Sequence, residues 1–451
     1  MNKNYVPLIF GWVGMLISTI VFAQDSNDFF SDFLQEDTYF FNSSGGVALS
    51  GFYKQEIAYS YNSSDSNFNF VRQQPEISKI KSILDITLDA KILNQIKLKL
   101  NGRFFYDSYY LLKGREKFSS QLLEAHEREI DVGESFIEAS ITDYMWLKSG
   151  RQIIAWGESD IYQNTNVINP QDNRELGQED ITDRYIPALA TKLTYLANTG
   201  EINLAVIHEV RANKYGASGS DYDPYIRLRS EEDIIIREKL PPSTLDNTQW
   251  GFRLRKALHS GDVSLIYADV FDKNPYLYFD DENVTLNLNR IQVYGIAGNY
   301  VLGQWLYKFD IARKIKSILM HKDMTEFSHK NIIQGMIGID FTGITDLRLT
   351  LEINHTLIEA YKKNLQDDEL SREWLITATY NMFNNCLHHN LFWTHLSNNN
   401  GDIFELETVY AYSDDIQISI GTIFYMASDK KGFIYPYRNN NRIFAGVKYS
   451  F

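Results

Sequence analysis

Along residues 45–451, segments of alternating apolar and polar side chains are joined by connections that are short, then long, then short again, without exception. Short links fall near Leu93-Asn94, Thr142-Tyr144, Asn198-Gly200, Ser260-Asp262, Leu302-Gln304, Thr342-Thr345, Asn384-Asn385 and Ser413-Asp414. Longer, more polar stretches occupy 61–76, 110–131, 157–187, 211–244, 273–287, 318–330, 361–370, 397–402 and 428–440. Period-two alternation marks a strand with one greasy and one wet face. Thus Ile96, Leu98 and Leu100 oppose Lys97, Lys99, Asn101 and Arg103, and Leu347, Leu349, Leu351 and Ile353 oppose Arg348, Thr350, Glu352 and Asn354. The same pattern sets Trp250, Phe252 and Leu254 against Arg253 and Arg255. Such faces suit a soluble sandwich, whose dry sides meet in a core, or a membrane barrel, whose dry side meets lipid. The connections decide between them. A Greek-key sandwich has no reason to alternate link lengths, whereas tight turns on one side of a membrane and long loops on the other are how bacterial barrels are built. The count is about eighteen strands, or about sixteen if one hairpin is misread, with both chain ends on the short-turn side. The expected fold is all-β: a transmembrane, up-and-down, antiparallel β-barrel. Segment 146–156 fits less well, because Lys148, Arg151 and Gln152 fall on both faces.

The last ten residues support this. Ile443, Ala445, Val447, Tyr449 and Phe451 alternate with Arg442, Phe444, Gly446, Lys448 and Ser450. This resembles the closing strand of bacterial outer-membrane barrels, and the resemblance implies that Val447, Tyr449 and Phe451 form the signal read by the barrel-assembly machinery. Aromatic content is high, at 14% with 29 Tyr and 27 Phe, as girdles at two membrane interfaces require. A formal charge of -14 argues against a nucleic-acid binder, and the single Cys386 excludes an intrachain disulfide and a cysteine-rich zinc site.

Residues 1–23 read as a cleavable signal peptide: Lys3, an apolar run from Val6 to Phe22, then Val21-Phe22-Ala23 before Gln24-Asp25. The competing reading is an uncleaved anchor. Residues 24–44 form an amino-terminal periplasmic segment, in which 25–37, with Phe29, Phe30, Phe33 and Leu34, suits a short amphipathic helix or a plain linker. The barrel occupies 45–451. Export without a later apolar helix leaves the periplasm, the outer membrane or the medium, with the outer membrane favoured by the strand pattern.

Residues 150–225 are the most distinctive. They run Gly150-Arg151-Gln152, then Trp156-Gly157-Glu158-Ser159, then Asn169-Pro170-Gln171-Asp172-Asn173-Arg174-Glu175. Glu179-Asp180-Ile181, Ile186-Pro187, His208 to Lys214, Ser220-Asp221-Tyr222 and Pro224 follow. This stretch resembles the bacterial family known as domain-of-unknown-function 1302, in which a "GRQ…WGES" strand leads into an "NP.DNRE" loop. The resemblance implies an outer-membrane barrel of unsettled activity. Genes of the family often accompany inner-membrane exporters, which points to lipid or hydrophobic-compound traffic and to an exporter as partner.

Apart from the family, Asn169-Pro170 turns the chain, and Asp172, Arg174, Glu175, Glu179, Asp180, Asp183 and Arg184 can cross-pair. Either 157–187 folds into the barrel as a constriction, with Arg151 and Glu158 as internal partners, or its charges are merely solvated at the surface. Trp156 suits the outer interface. The lumen-facing candidates are Lys97, Lys99, Arg103, Arg253, Arg255, Arg348, Glu352, Glu405 and Glu407. Charge inside a barrel costs little because water fills it. Pairing across strands to stabilise the wall is the alternative role.

Catalysis has thin support. His388, His389 and His395 share one strand with Ser397 beyond, but alternation splits the histidines between two faces. Acidic loop clusters (Asp221 and Asp223, Glu231-Glu232-Asp233, Asp280-Asp281-Glu282) lack the spacing of a calcium loop and read as solvated charge. No cofactor is expected. The function classes left are a porin-like channel or passage for small or amphiphilic or hydrophobic solutes, a non-conducting barrel docked to a periplasmic or inner-membrane system that exports lipid or hydrophobic compounds and, last, a rim enzyme.

Overall fold

The computed structural model describes residues 46–63, 72, 74–178, 183–231, 235–280, 283–322, 326–397 and 400–451. The signal peptide, the segment 24–44, Glu179, Asp180, Glu232, Asp233, Asp281 and Glu282 lie outside the described residues.

Eighteen antiparallel strands follow one another around a closed cylinder. They are β1 (Val47–Ser60), β2 (Glu76–Leu93), β3 (Ile96–Asp107), β4 (Arg128–Val132 continuing as Ser135–Thr142), β5 (Met145–Gln152) and β6 (Ala188–Ala197). Then come β7 (Gly200–Ile207), β8 (Gln249–Leu258), β9 (Gly261–Phe271), β10 (Arg290–Leu302), β11 (Trp305–Met320) and β12 (Phe327–Ile344). The last six are β13 (Leu347–Ile358), β14 (Leu370–Met382), β15 (Leu387–Leu396), β16 (Gly401–Ala411), β17 (Ile416–Met426) and β18 (Arg442–Ser450). Each strand pairs with the next in sequence, and β1 pairs with β18 from Phe52↔Ser450 to Ser60↔Arg442. Closure gives every wall strand two partners, as a chain in hydrocarbon requires.

The outward face is dry and exposed. Leu100, Ile137, Leu265, Ile337, Ile353, Ile420 and Val447 all point away from the lumen with large exposed areas. Exposed apolar surface on this scale belongs in lipid. Aromatic clusters bound the band. Trp250, Tyr267 and Tyr294 stack in series at the loop end, with ring centroids 4.9 and 5.0 Å apart, as do Trp374 and Trp393 at 4.6 Å. At the turn end Trp305 meets Phe341 at 4.4 Å.

The short turns sit where the alternation of link lengths put them. Asn384 and Asn385 adopt positive φ, the left-handed conformation that Asn tolerates and tight turns need. The last long stretch but one contracts to residues 397–400. Two helices, α1 (Ser108–Lys113) and α2 (Ser120–His126), occupy the link between β3 and β4, each capped by a side chain: Asp107 accepts from the Tyr109 N–H, and Ser119 from the Leu122 N–H. Gly133 and Glu134 interrupt β4, and side-chain parity slips there. Glu129 and Asp131 face inward before the break, Glu134 and Phe136 after it, as at a β-bulge.

The seam ends on a close contact. Gly51 N–H donates to the Phe451 carbonyl at 2.9 Å, and Phe451 N–H donates back at 2.9 Å. A Cβ on Gly51 would lie 2.2 Å from the Asp85 carbonyl and 3.0 Å from the Phe451 ring. Gly51→Val is therefore expected to lower the fraction of chain that closes, read as a smaller heat-modifiable, fast-migrating band after refolding in detergent.

Candidate functional site

The described residues of the link 153–187, which joins β5 to β6, lie in the lumen. Their first half lies on the inner wall of β6–β14. That wall is paved with small inward residues, Ala188, Ala190, Ala205, Ala268, Ala297 and Ala312, all at most 2% exposed. Trp156, Ile168 and Val167 fill the recess. The fit is close: a Cβ on Gly251 would stand 2.8 Å from the Trp156 ring, and one on Gly295 would stand 2.4 Å from the Thr165 methyl. Trp156 is 4% exposed inside the barrel, which corrects its placement at the outer interface. Burying its ring against small residues gains more apolar contact than an interface position offers.

Asparagines give the loop its shape. Asn166 Oδ1 accepts from the Trp156 and Gly157 N–H groups, both at 2.6 Å. Asn169 Oδ1 accepts from Ile154 N–H at 2.7 Å, while its amide nitrogen donates to the Gln152 and Ile186 carbonyls at 3.0 Å. These side chains satisfy backbone groups that no ladder reaches.

A buried ionic latch fixes the loop tip to the far wall. Lys308 on β11 lies 3.1 Å from Asp160, 3.2 Å from Asp340 and 2.9 Å from Glu352. Glu352 accepts from the Ser159 hydroxyl at 2.8 Å and the Asp160 N–H at 3.2 Å. Thr165 donates to Asp310 at 2.9 Å, Asn164 to Asn354 at 3.0 Å, and Glu158 accepts from Asn299 at 3.1 Å. Arg348 completes the group by donating to Asp340 at 2.9 Å.

The second half of the loop faces β1–β4 across open space. Asp172 and Asn173 bridge in parallel to Lys214 and Tyr215. Arg174 grips Asp172 through two nitrogens and reaches Glu129 at 2.7 Å. Glu175 is held by Lys79 at 2.7 Å and Lys81 at 2.9 Å, and Asp183 by Arg103 at 2.5 Å. Between them lies about 1320 Å³ of solvent-connected space, lined by Lys54, Lys81, Lys99, Glu56, Asp85 and Asp131 among others.

The strand charges named from alternation face inward. Lys97 pairs in register with Glu138 and Lys99 with Phe136 on the lumen side, and Arg253 and Arg255 reach Glu201 and Asp262, each at 2.7 Å. Glu405 and Glu407 stand in register with the inward Phe392 and Asn390. Arg151 is the exception. It sits opposite Leu189 on the outer face and pairs with Glu209 at 3.0 Å. Gly150, at φ 137, lets the strand lie within contact of Phe136, and the inward neighbour is Gln152 instead. Outward too are His389, bonded to Thr408 at 2.9 Å, and His395, 3.0 Å from Asp402 and stacked on Trp374. His388 faces the lumen and contacts Asn381 at 2.8 Å, so the three histidines share no site. Among the described residues no group of three or more His, Cys, Asp or Glu side chains is placed to hold a metal ion. The run of inward Ala and Gly on β6–β11 went unread in the sequence. It is the signal that something packs inside.

A sequence profile of the family described as "Protein of unknown function (DUF1302)" matches residues 35–451. The chain belongs to that family. Solved structures give this DUF1302 member its architectural relatives. The crystal structure of Acinetobacter baumannii OccAB3 is 9% identical, with a TM-score of 0.53 over 90% of this chain and 99% of its own. OccAB1 of the same organism is 10% identical, at 0.52 over 90% and 96%. OccAB4 is 9% identical, at 0.51 over 91% and 99%. At these identities the likeness is one of fold, an outer-membrane β-barrel. No curated protein matches the chain in sequence.

Two outcomes follow. Lys308→Met in this DUF1302 barrel takes the cation from three buried carboxylates, of which only Asp340 keeps another in Arg348, and unfolding by guanidinium, followed by tryptophan fluorescence, should show a loss of about 3–5 kcal/mol. His126 gives a pH dependence. Its ring accepts from the Ala217 N–H at 3.1 Å, so it is neutral; loss of solvent, then the Arg174 charge, pushes its pKa down to about 4. The unfolded ring titrates near 6.5, so the unfolded chain binds the extra proton between about pH 6.5 and 4, and stability drains away as pH falls through that window. The melting point of the wild type relative to His126→Gln should drop across that interval and stay level above it.

Proposed function

We propose that the protein is an outer-membrane channel for small polar solutes, its lumen narrowed by the loop 157–187. One observation carries the reading. The loop is bound along β6–β14 and leaves the side toward β1–β4 open as a water-connected cavity. That cavity is walled by fixed charges of both signs, among them Lys54, Lys79, Lys81 and Arg103 against Glu56, Asp85, Glu129 and Glu134. Charged walls favour hydrated, polar cargo over dry apolar cargo, because an apolar solute would gain nothing from them and would displace their water. The outer-membrane barrel fold shared with the A. baumannii structures supports this use. Val447, Tyr449 and Phe451 are, on the same reading, the strand face that the assembly machinery takes up, since the first two point outward to lipid.

Planar-bilayer recording tests the channel. Purified protein should give stepwise conductance. The double variant Asp160→Asn, Glu352→Gln unfastens the loop and should raise the step by about twofold or more, as the aqueous cross-section grows. Ile83 faces the cavity, so Ile83→Cys in a Cys386→Ser background should become blockable by a thiol-reactive cation. Absence of conductance from wild type and latch variant alike would sink the proposal.

A further inference from the structure

The latch between the loop tip and the far wall holds more acid than base. On the wall side the charges match: Asp340 and Glu352 face Lys308 and Arg348. Docking the loop adds Asp160, whose carboxylate lies 3.1 Å from the same Lys308 ammonium. Three carboxylates then share two cations. Water does little to relieve them, since Asp160, Lys308, Asp340 and Glu352 are all at most 7% exposed.

A wider circle deepens the surplus. The loop tip also carries Glu158, β9 presents Asp262, β11 presents Asp310 and β14 presents Glu373. The further cations are Arg255 on β8, which reaches Asp262 at 2.7 Å, and Lys314 on β11, which donates to the Gln163 carbonyl at 2.9 Å. Seven carboxylates thus face four cations around the tip. Neutral donors meet the excess: Asn299 serves Glu158 at 3.1 Å, Thr165 serves Asp310 at 2.9 Å, and Asn354 serves Glu373 at 3.3 Å. Tyr162, the other titratable side chain of the tip, packs beside Met336 and Leu375.

Carboxylates crowded together out of water do not all ionise. One proton shared within the group removes a charge and supplies a hydrogen bond. Asp160 and Glu352 meet on Lys308, and Glu352 also accepts the Asp160 N–H at 3.2 Å. Loss of solvent, then the Glu352 charge, pushes the Asp160 pKa up to about 7. With the tip lifted, Asp160 is in water, where an aspartate titrates near 4, and the wall is left neutral.

We propose that the latch is a proton switch: the docked tip takes up one proton to bring Asp160 onto a wall site already balanced, and comes free as pH rises. Docking is strongest below about pH 4, weakens about tenfold per unit up to about pH 7, and is level above it. The switch rests on the loop's contacts with the wall. Its link to conduction, by contrast, rests on the reading of 157–187 as the constriction of a channel.

The test reads the loop directly. Ala297 on β10 is fully buried beneath the loop in the cluster that holds Trp156, so Ala297→Cys in a Cys386→Ser background reacts with a thiol reagent only when the loop lifts. Ala312→Cys, under Val167, is a second reporter should the first not close, as judged by heat-modifiability on gels. Labelling of the full exported chain in detergent is compared with and without Asp160→Asn at the same pH, which cancels the ionisation of the thiol. One amide balances the cluster as one proton does. The rate without Asp160→Asn, divided by the rate with it, should therefore rise at least tenfold from about pH 5 to about pH 8. The double variant Asp160→Asn, Glu352→Gln takes two of the three carboxylates from Lys308 and should label faster than Asp160→Asn alone at both pH values. A ratio that does not change with pH, faster labelling in Asp160→Asn than in its absence at pH 8, or equal protection in the double variant would each overturn the switch. In planar bilayers the conductance step should grow over the same interval and stay constant in Asp160→Asn. Lack of conductance beside a pH-dependent labelling ratio would sink the channel and leave the switch standing.

Discussion

A strand in hydrocarbon has no water to pair with its free edge, so the structure depends first on the union of β1 with β18. Once that seam is made, every other wall strand has both neighbours, and the sign of each side chain's exposure follows. Odd-numbered residues of β18 go to lipid and even-numbered ones to the lumen; on β13 the even positions Arg348 to Asn354 again face in. A slip of one residue anywhere would send Lys308 or Glu352 into the membrane. Register is therefore held by the cost of burying charge in lipid as much as by backbone hydrogen bonds.

Closure creates the second problem, a lumen too wide to be filled by its own wall residues at eighteen strands. The chain answers it with the loop between β5 and β6, and answers it asymmetrically. On the β6–β11 side the wall is small and apolar, so the loop's Trp156, Val167 and Ile168 pack as in a soluble core. On the β11–β14 side the contact is ionic and hydrogen-bonded through Lys308, Glu352, Asp310 and Asn354. Toward β1–β4 the attachment is through long side chains that cross open space, such as Lys81 to Glu175 and Arg103 to Asp183. The aqueous space appears on the side where only long side chains make the attachment.

The cylinder was legible because its rule is periodic and local. Alternation and link length together disclosed strand number, turn side and the inward face of Lys97, Lys99, Arg103, Arg253, Arg255, Arg348 and Glu352, each a matter of parity along one strand. What failed was whatever the loop's return path decides. Arg151 lies two residues after a strand position that itself mixed polar residues on both faces, and the strand ends at Gln152, so parity had no longer run to work with. Trp156 was assigned by its own amphipathic character, but its position depends on Gly251 and Ala190, far away in sequence, leaving room for it. The cluster of Arg72, Asp221 and Arg442 at the loop end was illegible for the same reason. Arg72, Asp221 and Arg442 are separated by up to 370 residues, and only closure brings them together.

Two ionic clusters, one in the lumen and one at the loop end, hold connections to the wall. At Lys308 one cation serves three carboxylates, and the surplus negative charge is met by Arg348 and by donors from the loop itself, Ser159 and the Asp160 N–H. Every group there points at the protein, so the cluster rigidifies. At Arg72 and Arg442 two cations share Asp221, and Asp107 is a second carboxylate of the same loop-end cluster.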